Sequence, residues 1–191
     1  MKISLIISVL FLSLNAWSVT GANLIAARDA AIEEASFEID LDTVTAFEVT
    51  PLNEEIEVSF KDEKEVHVFG CHFHGNSMAC HEEGDDHKAL KSQEGFDHIE
   101  EGHTAGLEKL EKTLRRRGSD LNVLKSIKVW KLSSTDSGDD GHEHGADVWT
   151  KVNYDMSGKE VIVFIQCHEH EEKEEGFACH YKRKGKGEPT L

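Results

Sequence analysis

Apolar positions along the chain follow two periodicities, one typical of helices and one typical of strands. Residues 24–36 are rich in helix formers and lack Gly and Pro, which favours a helix. Residues 105–117 carry a leucine stripe with helical spacing and end in three arginines before Gly118, a stop signal. By contrast, residues 56–60 alternate strictly between apolar and polar, as in a strand with one buried face.

After each helical segment the pattern predicts four antiparallel strands. They span about 43–50, 55–60, 64–74 and 77–83 in the first half, and about 122–132, 147–154, 159–170 and 176–184 in the second. A helix on one face of an antiparallel meander is an α+β arrangement. The sequence therefore predicts two tandem repeats, each a helix packed on a four-stranded antiparallel sheet.

An internal repeat supports this division. Residues 40–49 align without a gap with residues 120–129, with apolar residues matching at four positions. Residues 66–74 align with residues 162–170, and each copy then reaches an Ala-Cys-His element. Two matching segments in the same order indicate duplication. The expected repeats occupy residues 23–100 and 101–191, joined by a polar segment around 92–102.

The start of the chain has the layout of a secretory signal peptide. Lys2 supplies a positive charge, residues 3–14 form an apolar run, and small residues follow. The run is shorter than the roughly 20 apolar residues that a bilayer-spanning helix needs, and no second run of that length occurs. We expect residues 1–22 to be a signal peptide, cleaved after Ser18 or Ala22. The product would be a secreted, extracellular protein, or a periplasmic one in a bacterium.

Composition and motif content reduce the number of function classes that the sequence allows. Acidic residues outnumber basic ones by 37 to 21, giving a net charge of −16, so nucleic acid is not an expected partner. The basic tail at residues 182–186 is expected to fray in solvent, and contact with a polyanion is the alternative. The sequence contains no nucleophile elbow, zinc-protease helix motif, phosphate-binding loop or dinucleotide glycine pattern, so we do not expect an enzyme. Twelve histidines are the most unusual feature.

The four cysteines predict disulfides, because an exported protein with an even number of cysteines usually pairs them. A Gly-Asn turn at residues 75–76 would pair His74 with Ser77. In that register Cys71 lies directly opposite Cys80, at a separation that suits a disulfide. We expect the bridges Cys71–Cys80 and Cys167–Cys179. Metal ligation by free thiolates is the alternative.

The same register brings histidines onto one face of each hairpin. Side chains alternate along a strand, so His72 and His74 project away from Cys71, and His81 projects with them. The second hairpin predicts the equivalent set His168, His170 and His180. Three imidazoles on a rigid sheet suit Zn²⁺ or Cu²⁺. Solvated histidines without a ligand are the alternative interpretation.

Further candidate ligands lie in two acidic segments. Residues 85–87 read Asp-Asp-His, and residues 139–144 contain His142 and His144 among acidic side chains. This composition resembles the metal-collecting loops of exported zinc-binding proteins.

The order of one helix and four strands resembles the cystatin superfamily. The pattern Leu-x-x-Val-x-x-Phe-x-Val at 41–49 and its counterpart Leu-x-x-Leu-x-x-Ile-x-Val-Trp at 121–130 are similar to that family's first strand after the helix. Tandem copies with a hairpin disulfide resemble secreted fetuin-like proteins. The resemblance implies a cystatin-like fold. Inhibition of cysteine proteases does not follow, because the Gln-x-Val-x-Gly hairpin and the Pro-Trp pair of the inhibitors do not occur.

Three classes of function follow from these observations. The first is an exported metal-binding protein for zinc or copper, with histidine clusters on disulfide-stapled hairpins. The second is a cystatin-like inhibitor whose partner is a protease. The third is a structural or interaction module, with another secreted protein as its partner, whose histidines are incidental or sense pH. A metal titration separates the first class from the other two.

Overall fold

The computed structural model describes residues 19–52, 55–82, 94–132, 147–169 and 176–191. The greater part of the expected signal peptide lies outside the described residues. So do four of the candidate ligands, His87, His142, His144 and His170.

Two helices and eight strands make up the described chain. The helices are α1 (Gly21–Glu38) and α2 (Glu94–Arg116), each followed by a short 3₁₀ turn (Leu41–Thr43 and Leu121–Val123). The first four strands are β1 (Ala46–Leu52), β2 (Glu55–Lys61), β3 (Val66–His74) and β4 (Ser77–Glu82). The second four are β5 (Leu124–Leu132), β6 (Asp147–Met156), β7 (Lys159–Glu169) and β8 (Phe177–Lys182). The strands lie within a few residues of their predicted positions.

All eight strands belong to one antiparallel sheet, in the order β4-β3-β2-β1-β5-β6-β7-β8. The predicted fold class, two tandem repeats each with its own four-stranded sheet, is therefore wrong. The two sets of strands join where β1 pairs with β5, from Ala46 opposite Trp130 to Val49 opposite Ile127. In separate sheets these two strands would be edges with unpaired N–H and C=O groups, and their pairing satisfies those groups.

Helix α2 begins eleven residues before the predicted start at residue 105, so much of the expected joining segment is helical. Gly102 and Gly106 argue against a helix there by propensity. Both glycines lie against the sheet, where a Cβ on Gly102 would come within 2.7 Å of the Val148 side chain. Glycine therefore lets the helix approach β6 closely, and packing outweighs its poor propensity. The division at residues 100 and 101 stays a prediction.

Both helices cover the same face of the sheet, which contains the main core. Helix α1 packs mainly over β4 and also contacts β5, while α2 packs over β5 to β8. Fully buried phenylalanines from β1, β2, β3 and α2 meet under the helices: Phe47, Phe60, Phe69 and Phe96. Burial of each such side chain contributes about 1.5–3 kcal/mol. Among the described residues, neither helix has the length and apolar character needed to cross a bilayer.

The C-terminal tail crosses the opposite face of the sheet, contrary to the expectation that it frays. Trp130 and Trp149 stack there with ring centroids 6.0 Å apart. The indole Nε1 of Trp130 donates a hydrogen bond of 2.8 Å to the carbonyl oxygen of Lys186. Two residues further on, Glu188 pairs with Lys151 at 2.8 Å. The tail thus covers the tryptophan pair, while His74 and His81 near the β4 edge of this face stay exposed.

Candidate metal centre on the first hairpin

Both predicted disulfides are confirmed. Cys71 is bonded to Cys80 and Cys167 to Cys179, so no cysteine is free to ligate a metal as thiolate. Each bridge joins an edge strand of the sheet to its neighbour. Two disulfides in a chain of this size are typical of proteins that fold in an oxidising compartment.

The first bridge lies on the helix-covered side of the sheet. Cys71 and Cys80 are almost completely buried, and their sulfur atoms lie 3.7 and 3.5 Å from the carbonyl oxygen of Ala27 in α1. Because side chains alternate across a strand, the neighbours of these cysteines project to the other, uncovered side.

The turn of the first hairpin sets the register as predicted. Gly75 has φ of 66°, the left-handed conformation that glycine adopts without strain. His74 pairs with Ser77, and three steps along the strands Cys71 pairs with Cys80. The register that suits the turn is thus also the one that suits the disulfide.

Three histidines converge on the uncovered side of this hairpin. His72 and His74 come from β3, and His81 comes from β4 opposite Gly70. One nitrogen from each ring lies within 4.8 Å of one nitrogen from each of the others. The ring centroids are 4.7 Å apart for His72 and His74, 5.5 Å for His72 and His81, and 6.2 Å for His74 and His81. His72 is half-buried and the other two are exposed.

The shortest contact shows what the cluster can do chemically. The Nε2 atoms of His72 and His74 lie 3.0 Å apart, so one must donate a proton to the other, because two bare lone pairs would repel. Two nitrogens that bind one tetrahedral Zn²⁺ at about 2.0–2.1 Å lie about 3.3 Å from each other. The free arrangement is therefore close to a metal-binding one. The other ring nitrogen of His72, Nδ1, is buried without a hydrogen-bond partner in the described chain, so His72 offers Nε2.

The second hairpin brings two histidines together. His168 and His180 stack with ring centroids 5.3 Å apart and an angle of 13° between the rings. Cys167 pairs with Cys179 in this hairpin, as predicted. The third expected member, His170, lies outside the described residues. Within the described part of the chain, only the first hairpin assembles three candidate ligands.

One buried histidine lies beyond what the sequence pattern indicated. His103 is completely buried between α2 and the sheet, with its ring edge-on to Phe47 at 5.4 Å. Burial, and then the positive charge of Arg28, hold the pKa of His103 well below its usual value of 6.5. The sequence pattern did not indicate that His103 is buried, because residue 103 precedes the predicted start of the helix at residue 105.

Comparisons with protein-family models, with curated proteins and with solved structures gave no significant match, so the cystatin resemblance stays a prediction from element order.

Proposed function

We propose that this protein is an exported metal-binding protein that holds Zn²⁺ or Cu²⁺ at His72, His74 and His81. The observation that carries the proposal is the approach of three imidazole nitrogens to within 4.8 Å of one another. Imidazole is a ligand that both ions accept, at about 2 Å.

The hairpin supports this function because it orients the histidines before a metal arrives. The turn at Gly75 and the bridge between Cys71 and Cys80 both restrain the register of β3 and β4. A site whose ligands are already oriented loses less conformational entropy on binding. A flexible histidine-rich loop would lack this advantage.

Charge also favours a cation. The chain carries a net charge of −16, which raises the local concentration of cations around the protein. Neutral imidazoles on such a surface provide the binding groups, while the acidic side chains attract the ion. The hydrophobic leader and the two disulfides support a location outside the cytoplasm, as a secreted or periplasmic protein.

The proposal is tested by titrating untagged protein with Zn²⁺ and with Cu²⁺ by isothermal calorimetry. The double substitution His72→Ala and His81→Ala removes two of the three ligands. We expect it to weaken binding by roughly 100-fold or more, since the loss of outer-shell partners alone costs 10–100-fold.

His98→Ala is the matched control. His98 lies on α2, where its ring packs on Phe177 at 4.9 Å, away from the first hairpin. The control should bind as the unmodified protein does. If the double variant binds as tightly as His98→Ala, the three histidines are not a metal site. A cystatin-like inhibitor or an interaction module without metal then becomes the better account.

A further inference from the structure

The proposed metal centre has an acidic neighbour from a third strand. Ile56 of β2 pairs with Cys71 of β3, so one step along the same register Glu55 lies beside His72. Glu55 and His72 project to the same uncovered face, because both flank residues that point into the core. A carboxylate therefore stands beside His72, one of the three imidazoles on the sheet.

Gly70 gives that carboxylate room. Gly70 occupies the position opposite His81 and two residues before His72. A Cβ placed on Gly70 would lie 3.3 Å from Oε2 of Glu55. The glutamate side chain thus extends over the bare backbone of Gly70, whose neighbours along and across the strands include His72 and His81.

The second half of the sheet shows the contrasting arrangement. Asp147 is the first residue of β6, just as Glu55 is the first residue of β2, and the next residue, Val148, pairs with Cys167. The position of Gly70 is taken there by Gln166, which lies opposite His180. Its Nε2 donates a hydrogen bond of 2.6 Å to Asp147, which is only 2% exposed. In this half the carboxylate is already engaged and the space beside the histidine is filled.

We propose that Glu55 supplies the fourth ligand of the metal bound by His72, His74 and His81. This inference rests on the proposed function. Three imidazoles leave one position of a tetrahedral ion open, and a carboxylate oxygen fills such a position at about 2.0–2.2 Å. The 4.8 Å cluster contains the imidazoles alone, so Glu55 turns about its side-chain torsions to bind, as an exposed glutamate does.

The fourth ligand also disfavours Cu(I) relative to a divalent ion. A carboxylate oxygen is a hard ligand, whereas Cu(I) is selected by soft sulfur ligands. The carboxylate lowers the charge of a bound divalent ion from +2 to +1, which three neutral imidazoles cannot do. The completed set of three nitrogens and one oxygen therefore favours Zn²⁺ over Cu(I).

The experiment measures Zn²⁺ affinity of the full chain by competition with a chromophoric chelator in about 0.15 M salt, where long-range charge effects are screened. Glu55→Gln should weaken binding roughly 10-fold or more. Gly70→Gln places beside Glu55 the same side chain that Gln166 places beside Asp147 in the second half of the sheet. By engaging the carboxylate it should weaken Zn²⁺ binding to a similar extent. In a chain that already carries Glu55→Gln, the substitution Gly70→Gln should weaken Zn²⁺ binding little further. The visible spectrum of bound Co²⁺ should change in Glu55→Gln, because an oxygen ligand is lost.

Glu57→Gln is the matched control, since Glu57 shares the strand and the face but accepts a hydrogen bond from Ser59 at 3.3 Å. It should bind Zn²⁺ within about twofold of the unmodified chain. If Glu55→Gln binds as tightly as Glu57→Gln while the His72 and His81 double variant does not bind, the fourth ligand is refuted and the three-histidine site stands. If the double variant also binds normally, the proposed function itself fails.

Discussion

The Nδ1 atom of His103 lies 3.2 Å from the hydroxyl oxygen of Thr150, and both side chains are completely buried. His103 comes from α2 and Thr150 from β6, and the positive charge of Arg28 in α1 further lowers the pKa of His103. The contact therefore ties α2 to the sheet through a group that can titrate. This arrangement makes the stability of the fold sensitive to acid.

The first prediction concerns that sensitivity. Because burial and Arg28 hold the pKa of His103 well below 6.5 in the folded protein, only the unfolded chain gains this proton as pH falls through about 6.5. The unfolded state then binds more protons, so the free energy of unfolding decreases on acidification, by at most about 1.4 kcal/mol per pH unit. The loss begins below pH 6.5 and continues down to the folded-state pKa.

Urea unfolding at several pH values between 7.5 and 5.5 tests this, with His103→Phe for comparison. The unmodified protein should lose about 1 kcal/mol more than the variant between pH 6.5 and 5.5. Equal losses in the two proteins would show that His103 does not contribute to the pH dependence.

The second prediction concerns the C-terminal tail. Trp130→Phe removes the donor to the carbonyl oxygen of Lys186 and should lower the free energy of unfolding by about 1 kcal/mol. Removal of residues 185–191 should cost more and should shift tryptophan fluorescence to the red, because the tail covers the stacked pair Trp130 and Trp149. Glu188→Ala serves as the control, since its half-exposed ion pair with Lys151 is worth roughly 0–1 kcal/mol. An unchanged emission maximum after truncation would contradict docking of the tail.

The third prediction separates stability from metal binding. Replacing Cys71 and Cys80 with Ser opens a loop with a sequence separation of 9, which should lower the free energy of unfolding by roughly 2–3 kcal/mol. Zn²⁺ affinity should fall as well, because β4 is an edge strand that the bridge holds beside β3.

The same replacement at Cys167 and Cys179, with a separation of 12, is the matched comparison. Its cost in stability should be similar. Zn²⁺ affinity at the first hairpin should remain unchanged. Equal losses of affinity in the two variants would mean that the bridges act through global stability and not by orienting the histidines.

The fourth prediction is that acid releases the metal. Imidazole binds a metal only in its neutral form, so protons compete with the ion for the ring nitrogens of His72, His74 and His81. Apparent Zn²⁺ affinity should fall by at least about 10-fold between pH 7.5 and 5.5. Chelator competition at each pH measures this. A pH-independent affinity would exclude imidazole as the principal ligand.

The sequence alone determined the first hairpin and which side chains meet on it, because everything there is local. The Gly-Asn turn fixes the pairing of His74 with Ser77, and that pairing decides that Cys71 meets Cys80. Strand alternation then decides which side chains share the face opposite the disulfide. The positions of the strands followed from the same alternation, and the structure reproduces them within a few residues.

The tertiary structure decided the contacts between segments that are far apart in the sequence, because local periodicity carries no information on them. Alternation tells which face of a strand is buried, but it does not tell which edges meet, so the pairing of β1 with β5 into one sheet was not predicted. The start of α2 depended on the close packing of Gly102 against Val148, because this packing outweighs the low helix propensity of glycine. Glu55 lies beside His72 only because β2 pairs with β3, and the sequence of one hairpin contains no signal for that pairing. The contact of the tail with Trp130 was not predictable either. Its two partners are 56 residues apart, and the packing of the sheet face, not the local sequence of the tail, brings them together.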